Sequence, residues 1–266
     1  MKALIIGDVM SRTGRRVITS ALPELRKRLG VDICIANVEN AAGIFGVTQK
    51  VCEEISSSGV DVMTSGNHIW DRREGIPLLD TRDDLLRPAN YPPGVPGRGF
   101  VIHMVQDTPV AVVNLQGRTF MTPIDCPFRT ADDVITRISS DVRIIIVDFH
   151  AEATSEKLAL GFYLDGRVSV LAGTHTHVQT ADERILGGGT AYITDVGMTG
   201  PFESIIGVKK EQVIDRFLYG RPFRFEVANE SPCLEGLLVE IDEETGKAKQ
   251  VTRVREEIEF EEGESG

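Results

Sequence analysis

Five apolar runs in this chain stop at residues able to bind a cation or carry a proton: Asp8, Glu39 with Asn40, Asn67 with His68, His150, and His175 with His177. A short run that is apolar on both faces belongs inside an α/β sheet rather than at a half-wet one. Open sheets of that kind bind ligands outside the carboxyl ends of their strands. The pattern therefore predicts one site assembled from segments distant in sequence. Taken singly, each member has a plain structural reading. Asp8 after Gly7 suits a turn, Glu39 a cap, Asn67 after Gly66 a left-handed turn residue, and the two clustered histidines a solvated loop. Recurrence decides against coincidence: of five histidines only His103 lies away from such a strand end, in an alternating strand-like stretch.

The first third alternates strand and helix. Residues 3–6, 33–38 and 60–64 read as strands, and 15–29 and 47–57 as helices. This βαβαβ order predicts parallel strands with crossover helices. A turn-rich stretch at 87–97 follows, then an antiparallel pair at 100–105 and 110–115, a long loop at 116–129 and a helix at 131–138. Residues 143–147 and 168–173 predict strands, with a helix between them starting near Thr154 or Ser155. Short strands near Ile185 and at 191–193, a helix at 211–219, and strands at 223–227, 234–241 and 248–254 complete the chain. The sum is an α/β fold of two packed mixed sheets flanked by helices. A single domain, 1–266, is expected, with excursions at about 72–98 and 116–130 covering the site.

A formal charge of −11 argues against general nucleic-acid binding, which needs clustered Lys and Arg. Six glutamates crowd residues 256–266, read as a solvated tail. The first apolar run is too short for a signal peptide or membrane span, and Cys34, Cys52, Cys126 and Cys233 are scattered like reduced thiols. A cytoplasmic protein without membrane contact is expected.

Carboxylates with imidazoles and no thiolate suit Mn, Fe or Zn in a reactive site, not structural zinc. Asp8, Glu39, Asn67, His150, His175 and His177 are too many for one ion but suit two, with Glu39 able to bridge. Two ions about 3.5–4 Å apart polarise a phosphoryl oxygen and convert a bound water to hydroxide for in-line attack. His68, next to Asn67, can overhang the ions and protonate the leaving oxygen. In extended backbone His175 and His177 would point the same way. Arg12 and Arg118 are read as solvated, with phosphate binding the alternative. Trp70 suits a stacking platform or a wall, and Glu152 and Glu156 suit histidine orientation or helix-start acids.

These residues resemble the calcineurin-like metallophosphoesterases, and more closely their YmdB-type bacterial phosphodiesterases. The resemblance rests on residues 7–15 (GDVMSRTGR), 37–43 (NVENAAG), 66–71 (GNHIWD), 114–118 (NLQGR), 148–157 (DFHAEATSEK), 173–177 (GTHTH) and 194–201 (TDVGMTGP). It spans about residues 1–207 and weakens after Lys209. The resemblance implies a four-layer fold and hydrolysis of simple or cyclic phosphodiesters, 2′,3′- and 3′,5′-cyclic nucleotides included. It implies a first ion on Asp8, Glu39 and His177 with Asn40 close by or coordinating, a second on Glu39, Asn67, His150 and His175, and His68 as general acid. Two positions depart from the broad superfamily: Met10 stands where a histidine is usual, and Glu39 where an aspartate bridges. The first ion thus has one imidazole fewer, and iron, manganese or magnesium would serve. The alternatives are a phosphomonoesterase and a metal-bound regulatory scaffold with negligible turnover. Apolar residues after Pro201 suggest homo-oligomer contacts, and partner proteins in RNA decay are a further expectation.

Overall fold

In strand β1 (Lys2–Ile6), Leu4 and Ile6 point one way and Ala3 and Ile5 the other, all buried, so the sheet built on it must be covered on both faces. A computed structural model, which describes residues 1–222 and 224–260, has that arrangement. After β1 come β2 (Asp8–Val9), α1 (Ser11–Leu29), β3 (Ile33–Asn37), α2 (Gln49–Ser57), β4 (Val62–Thr64) and the short α3 (Leu78–Thr81). The middle of the chain forms β5 (Phe100–Val105), β6 (Thr108–Gln116), α4 (Pro127–Arg137), β7 (Ile144–His150), α5 (Thr154–Leu164) and β8 (Val170–Thr174). It closes with β9 (Arg184–Ile185), β10 (Ala191–Ile193), β11 (Met198–Pro201), α6 (Lys210–Tyr219), β12 (Pro232–Ile241) and β13 (Ala248–Glu257).

One sheet runs β2-β11-β12-β1-β3-β4, with β13 on the other edge of β12; the second runs β5-β6-β7-β8-β10-β9. The order closes because β11 and β1 share one edge of β12 end to end, at Pro232–Leu234 and Gly236–Glu240. At their junction Gly7 donates to the carbonyl of Glu235 at 3.0 Å. A Cβ on Gly7 would sit 2.1 Å from the Gly197 carbonyl, so only glycine lets the chain pass there and deliver Asp8.

Between the sheets lie Ile5, Ile35, Val62, Val112, Ile146, Val170 and Ile193. The outer face of the first sheet takes Val17, Ile18 and Leu22 of α1 and Val51 and Ile55 of α2. The outer face of the second takes Val134 of α4 and Leu160 and Leu164 of α5. Each such side chain contributes about 1.5–3 kcal/mol by leaving water. Helix, sheet, sheet, helix is the four-layer order expected.

Some boundaries move. Helix α1 begins at Ser11 rather than Arg15 and ends at Leu29, where Gly30, with a φ of 67°, makes the left-handed cap. Helix α4 begins at Pro127, where a missing N–H costs nothing in the first turn. Of the strand expected at 223–227, Phe223 lies outside the described residues and Val227 makes a single bridge to Val208. In the acidic tail Glu256 and Glu257 extend β13, and residues 261–266 lie outside the described residues. The two excursions are tied together, since the Asn90 amide donates to the carbonyls of Gln116 (2.8 Å) and Asp125 (2.9 Å). Among the described residues no helix is long and apolar enough to cross a membrane.

Candidate metal centre

His150 ends β7 with its ring fully buried, and three lone-pair bearers crowd its Nε2. Glu39 Oε1 stands 2.9 Å away, His175 Nδ1 3.0 Å and Asn67 Oδ1 3.2 Å. Gly66 lets Asn67 approach, because a Cβ there would fall 2.0 Å from the His150 ring. One ring nitrogen offers at most one proton, so these acceptors cannot all be satisfied by hydrogen bonds. Glu39, His150 and His175 each place a ligand atom within 4.8 Å of the others, forming the candidate metal cluster among the described residues.

Asp8 lies beside it. Its Oδ2 accepts the His175 backbone N–H at 3.1 Å, while Oδ1 is buried without a hydrogen-bond partner, 3.8 Å from both His150 Nδ1 and His177 Nε2. Asn40 donates its amide to the carbonyl of Ile44 at 2.8 Å, and its Oδ1 is likewise buried and unpartnered. Orphaned oxygens of this kind in a dry site are costly unless a cation meets them. The donor set therefore fits metal, and oxygen with imidazole suits iron, manganese or zinc.

The electrostatics point the same way. Burial works against charge on Glu39, but the adjoining His150, together with His68, draws its carboxyl down to about 2. Burial also opposes charge on His150, which Glu39, Asp8 and Asp148 outweigh, raising it to about 9. Burial raises Asp8 despite the pull of His177 and His150. Burial and the neighbouring His150 push His175 down to about 3, so its ring stays neutral with a lone pair to give.

His175 and His177 are not in extended backbone. Their φ values of 99° and 63° are left-handed, so a strained loop, not strand alternation, aims the two rings. A buried ion pair holds that loop. Lys157 Nζ donates to the Thr174 carbonyl and to Asp195 Oδ2, both at 2.8 Å. Asp195 Oδ2 also accepts from Thr176 N (3.1 Å) and Thr176 Oγ1 (2.8 Å), between the two histidines. A second support runs through Asp148, whose carboxyl burial raises to about 6. It accepts from Thr174 Oγ1 at 2.7 Å, and that hydroxyl lies 3.0 Å from His150 Nδ1. Glu152 reaches His175 Nε2 at 3.1 Å, as a histidine-orienting acid would. Glu156 instead accepts from the backbone N–H groups of Arg118 and Thr119 and anchors the 116–130 excursion.

His68 donates its backbone N–H to Glu39 Oε2 at 2.9 Å and lines the same cavity as Glu39 and His175. Its Nδ1 faces Asp71 Oδ2 at 2.7 Å, and Phe45 packs on the ring with centroids 4.1 Å apart. Asp71, three residues on within the same motif, was the partner that spacing could have flagged. Trp70 turns away, edge-on to Tyr91 at 5.2 Å. A cavity of about 490 Å³ opens from Glu39, His68, His175 and His177, and its outer wall comes from Ile205, Val208, Val213, Arg216, Phe217 and Phe225.

The chain is similar to known proteins along nearly its whole length. Residues 4–254 match the family described as YmdB-like protein. A Bacillus subtilis (strain 168) protein named 2′,3′-cyclic-nucleotide 2′-phosphodiesterase is 48% identical over 254 residues, 96% of each chain. A putative phosphatase/phosphodiesterase of Mycoplasma pneumoniae is 36% identical over 96% of this chain and 92% of its own. A crystal structure of a hypothetical protein from Thermus thermophilus superposes with a TM-score of 0.91 at 42% identity, covering 97% of this chain and 99% of that one. A putative 5′-nucleotidase from Staphylococcus aureus shares the fold alone, with a TM-score of 0.61 at 13% identity over 96% of this chain and 54% of that one. With a cation-ready carboxylate–imidazole cluster at the inner end of a cavity and these relatives along 96% or more of its length, the chain belongs to the YmdB-like family of calcineurin-type metallophosphoesterases and is a phosphatase/phosphodiesterase-type hydrolase.

Proposed function

We propose that the protein hydrolyses small phosphodiesters, 2′,3′- and 3′,5′-cyclic nucleotides among them, at a centre of two ions. Asp8, Glu39 and His177, with Asn40, hold the first ion, and Glu39, Asn67, His150 and His175 hold the second. The observation that carries the reading is the crowding of lone pairs around His150 Nε2 beside the orphaned Asp8 Oδ1. The name of the Bacillus relative supports the substrate class. The bound ions, iron, manganese or magnesium, would lend Lewis acidity to the phosphoryl group and acidify water. The His68 backbone N–H fixes the outer oxygen of Glu39, while its ring gives a proton to the leaving oxygen. Asp71 accepts the hydrogen bond from His68 Nδ1–H, so the proton given to the leaving oxygen is the one that the acid form of the ring carries on Nε2. The chain works as one cytoplasmic domain, consistent with four cysteines that are all free.

Elemental analysis of protein purified without added metal, followed by titration with manganese or iron, is expected to reach two ions per chain. Saturation at one ion would sink the two-ion reading. Cleavage of bis-p-nitrophenyl phosphate is expected to exceed that of p-nitrophenyl phosphate, and the reverse order would make the protein a monoesterase.

A further inference from the structure

We infer that the outer wall of the cavity is a nucleobase subsite that grips a base by its faces and reads little of its edge. The inference rests on the proposed hydrolysis of nucleotide phosphodiesters and says which part of the substrate goes where. The cavity is continuous from the metal cluster to α6 and Phe225, and its volume of about 490 Å³ leaves room for a nucleoside beyond the phosphate. At the inner end stand Glu39, His68 and His175, the groups suited to a phosphoester. At the outer end stand Val213, Phe217 and Phe225, which suit a flat apolar ring.

The placement follows from helix geometry. Val213, Arg216 and Phe217 are spaced i, i+3, i+4 along α6 and so share one stripe, which faces the cavity. Arg216 lays its guanidinium 5.2 Å from the centroid of Phe225, which makes a cation–π wall of the two. Phe217 is 84% exposed, so its ring has apolar area still to bury when a base is laid against it. Among the described residues this wall carries apolar and aromatic side chains and the Arg216 guanidinium, which donates but cannot accept, so it cannot match the full donor and acceptor pattern of one base. Stacking on aromatic faces tolerates every base, because all have a π-face. An apolar pocket separates related ligands by only about 10–200-fold, whereas a hydrogen-bonding site reaches about 10⁴ or more.

The test compares the four 2′,3′-cyclic nucleotides with the base-free analogue 1-O-methylribose 2,3-cyclic phosphate, on the metal-loaded enzyme. The readout is the ratio of kcat/KM for nucleotide to that for the base-free ester. Phe217→Ala and Phe225→Ala are each expected to lower this ratio roughly 5- to 100-fold, mainly through a higher KM for nucleotide. Leu218→Ala, at an exposed position of α6 outside the cavity, is expected to keep the wild-type ratio. The four bases are expected to differ by less than about 100-fold in the wild type. Ratios within about twofold of wild type in both phenylalanine variants would overturn the subsite, as would a preference for one base above about 10³-fold. Should Phe217→Ala leave the ratio alone and reduce the sedimenting mass, the ring belongs to a contact between copies and the inference is wrong. Should no phosphoester be cleaved at all, the proposed function fails, and the subsite is judged by calorimetry. Binding of 2′-AMP several-fold tighter than ribose 2-phosphate supports it, and equal binding refutes it.

Discussion

Replacing His68 with alanine is expected to lower kcat for a cyclic nucleotide by about 10²–10⁴-fold while the metal content of the protein stays as in wild type. The ring is placed to act on the substrate, since it contacts Phe45 and Asp71 and only its backbone N–H reaches Glu39. A ribose alkoxide is a poor leaving group and needs the proton. A nitrophenolate leaves readily as an anion, so for bis-p-nitrophenyl phosphate the loss is expected to be at least about tenfold smaller. Equal losses on both esters, or loss of an ion with the ring, would show that His68 positions or binds metal and does not donate the proton. Asp71→Asn should fall between wild type and His68→Ala, because an amide oxygen can still accept from Nδ1–H but without the carboxylate's charge.

The site was legible in sequence because buried strands must end somewhere wet. β3, β7 and β8 are apolar on both faces until their last residues, so the polar residues that end or follow them, Asn37 to Asn40, Asp148 with His150, and Thr174 to His177, stand out against the run. What periodicity cannot register is polar structure inside the fold. Asp148 and Lys157 lie in recognisable motifs, yet nothing in their spacing says that one props His150 through Thr174 and the other pins the loop between two histidines. Two strands escaped for a different reason. β2 has two residues and β11 four, too few for any period, and they exist because Asp8 and Val9 pair with Met198 and Thr199 from the far end of the chain. The converse error at 223–227 came from trusting local β-propensity where the fold offers Val227 only a single bridge.

The ion pair under the histidine loop sets up the largest stability effect expected in the molecule. Lys157 and Asp195 are both fully buried, and Lys157→Met would leave the Asp195 carboxylate in the interior with Thr176 and Gly197 as its hydrogen-bond donors but no counter-charge. Removing one partner of such a pair costs about 3–5 kcal/mol. For a chain of this size that is a fall in melting temperature of roughly 6–20 °C by calorimetry. The double variant Lys157→Met with Asp195→Asn removes the stranded charge and is expected to recover at least about half of the lost stability. It should not recover turnover. Thr176 would then be held by a neutral amide, and the left-handed turns at His175 and His177 would lose the clamp that offsets about 1–3 kcal/mol of strain at each. Stability restored with metal affinity still weakened is therefore the expected signature. A double variant as unstable as the single one would mean that the two residues are not coupled, and one with full metal affinity would mean that the clamp does not aim the histidines.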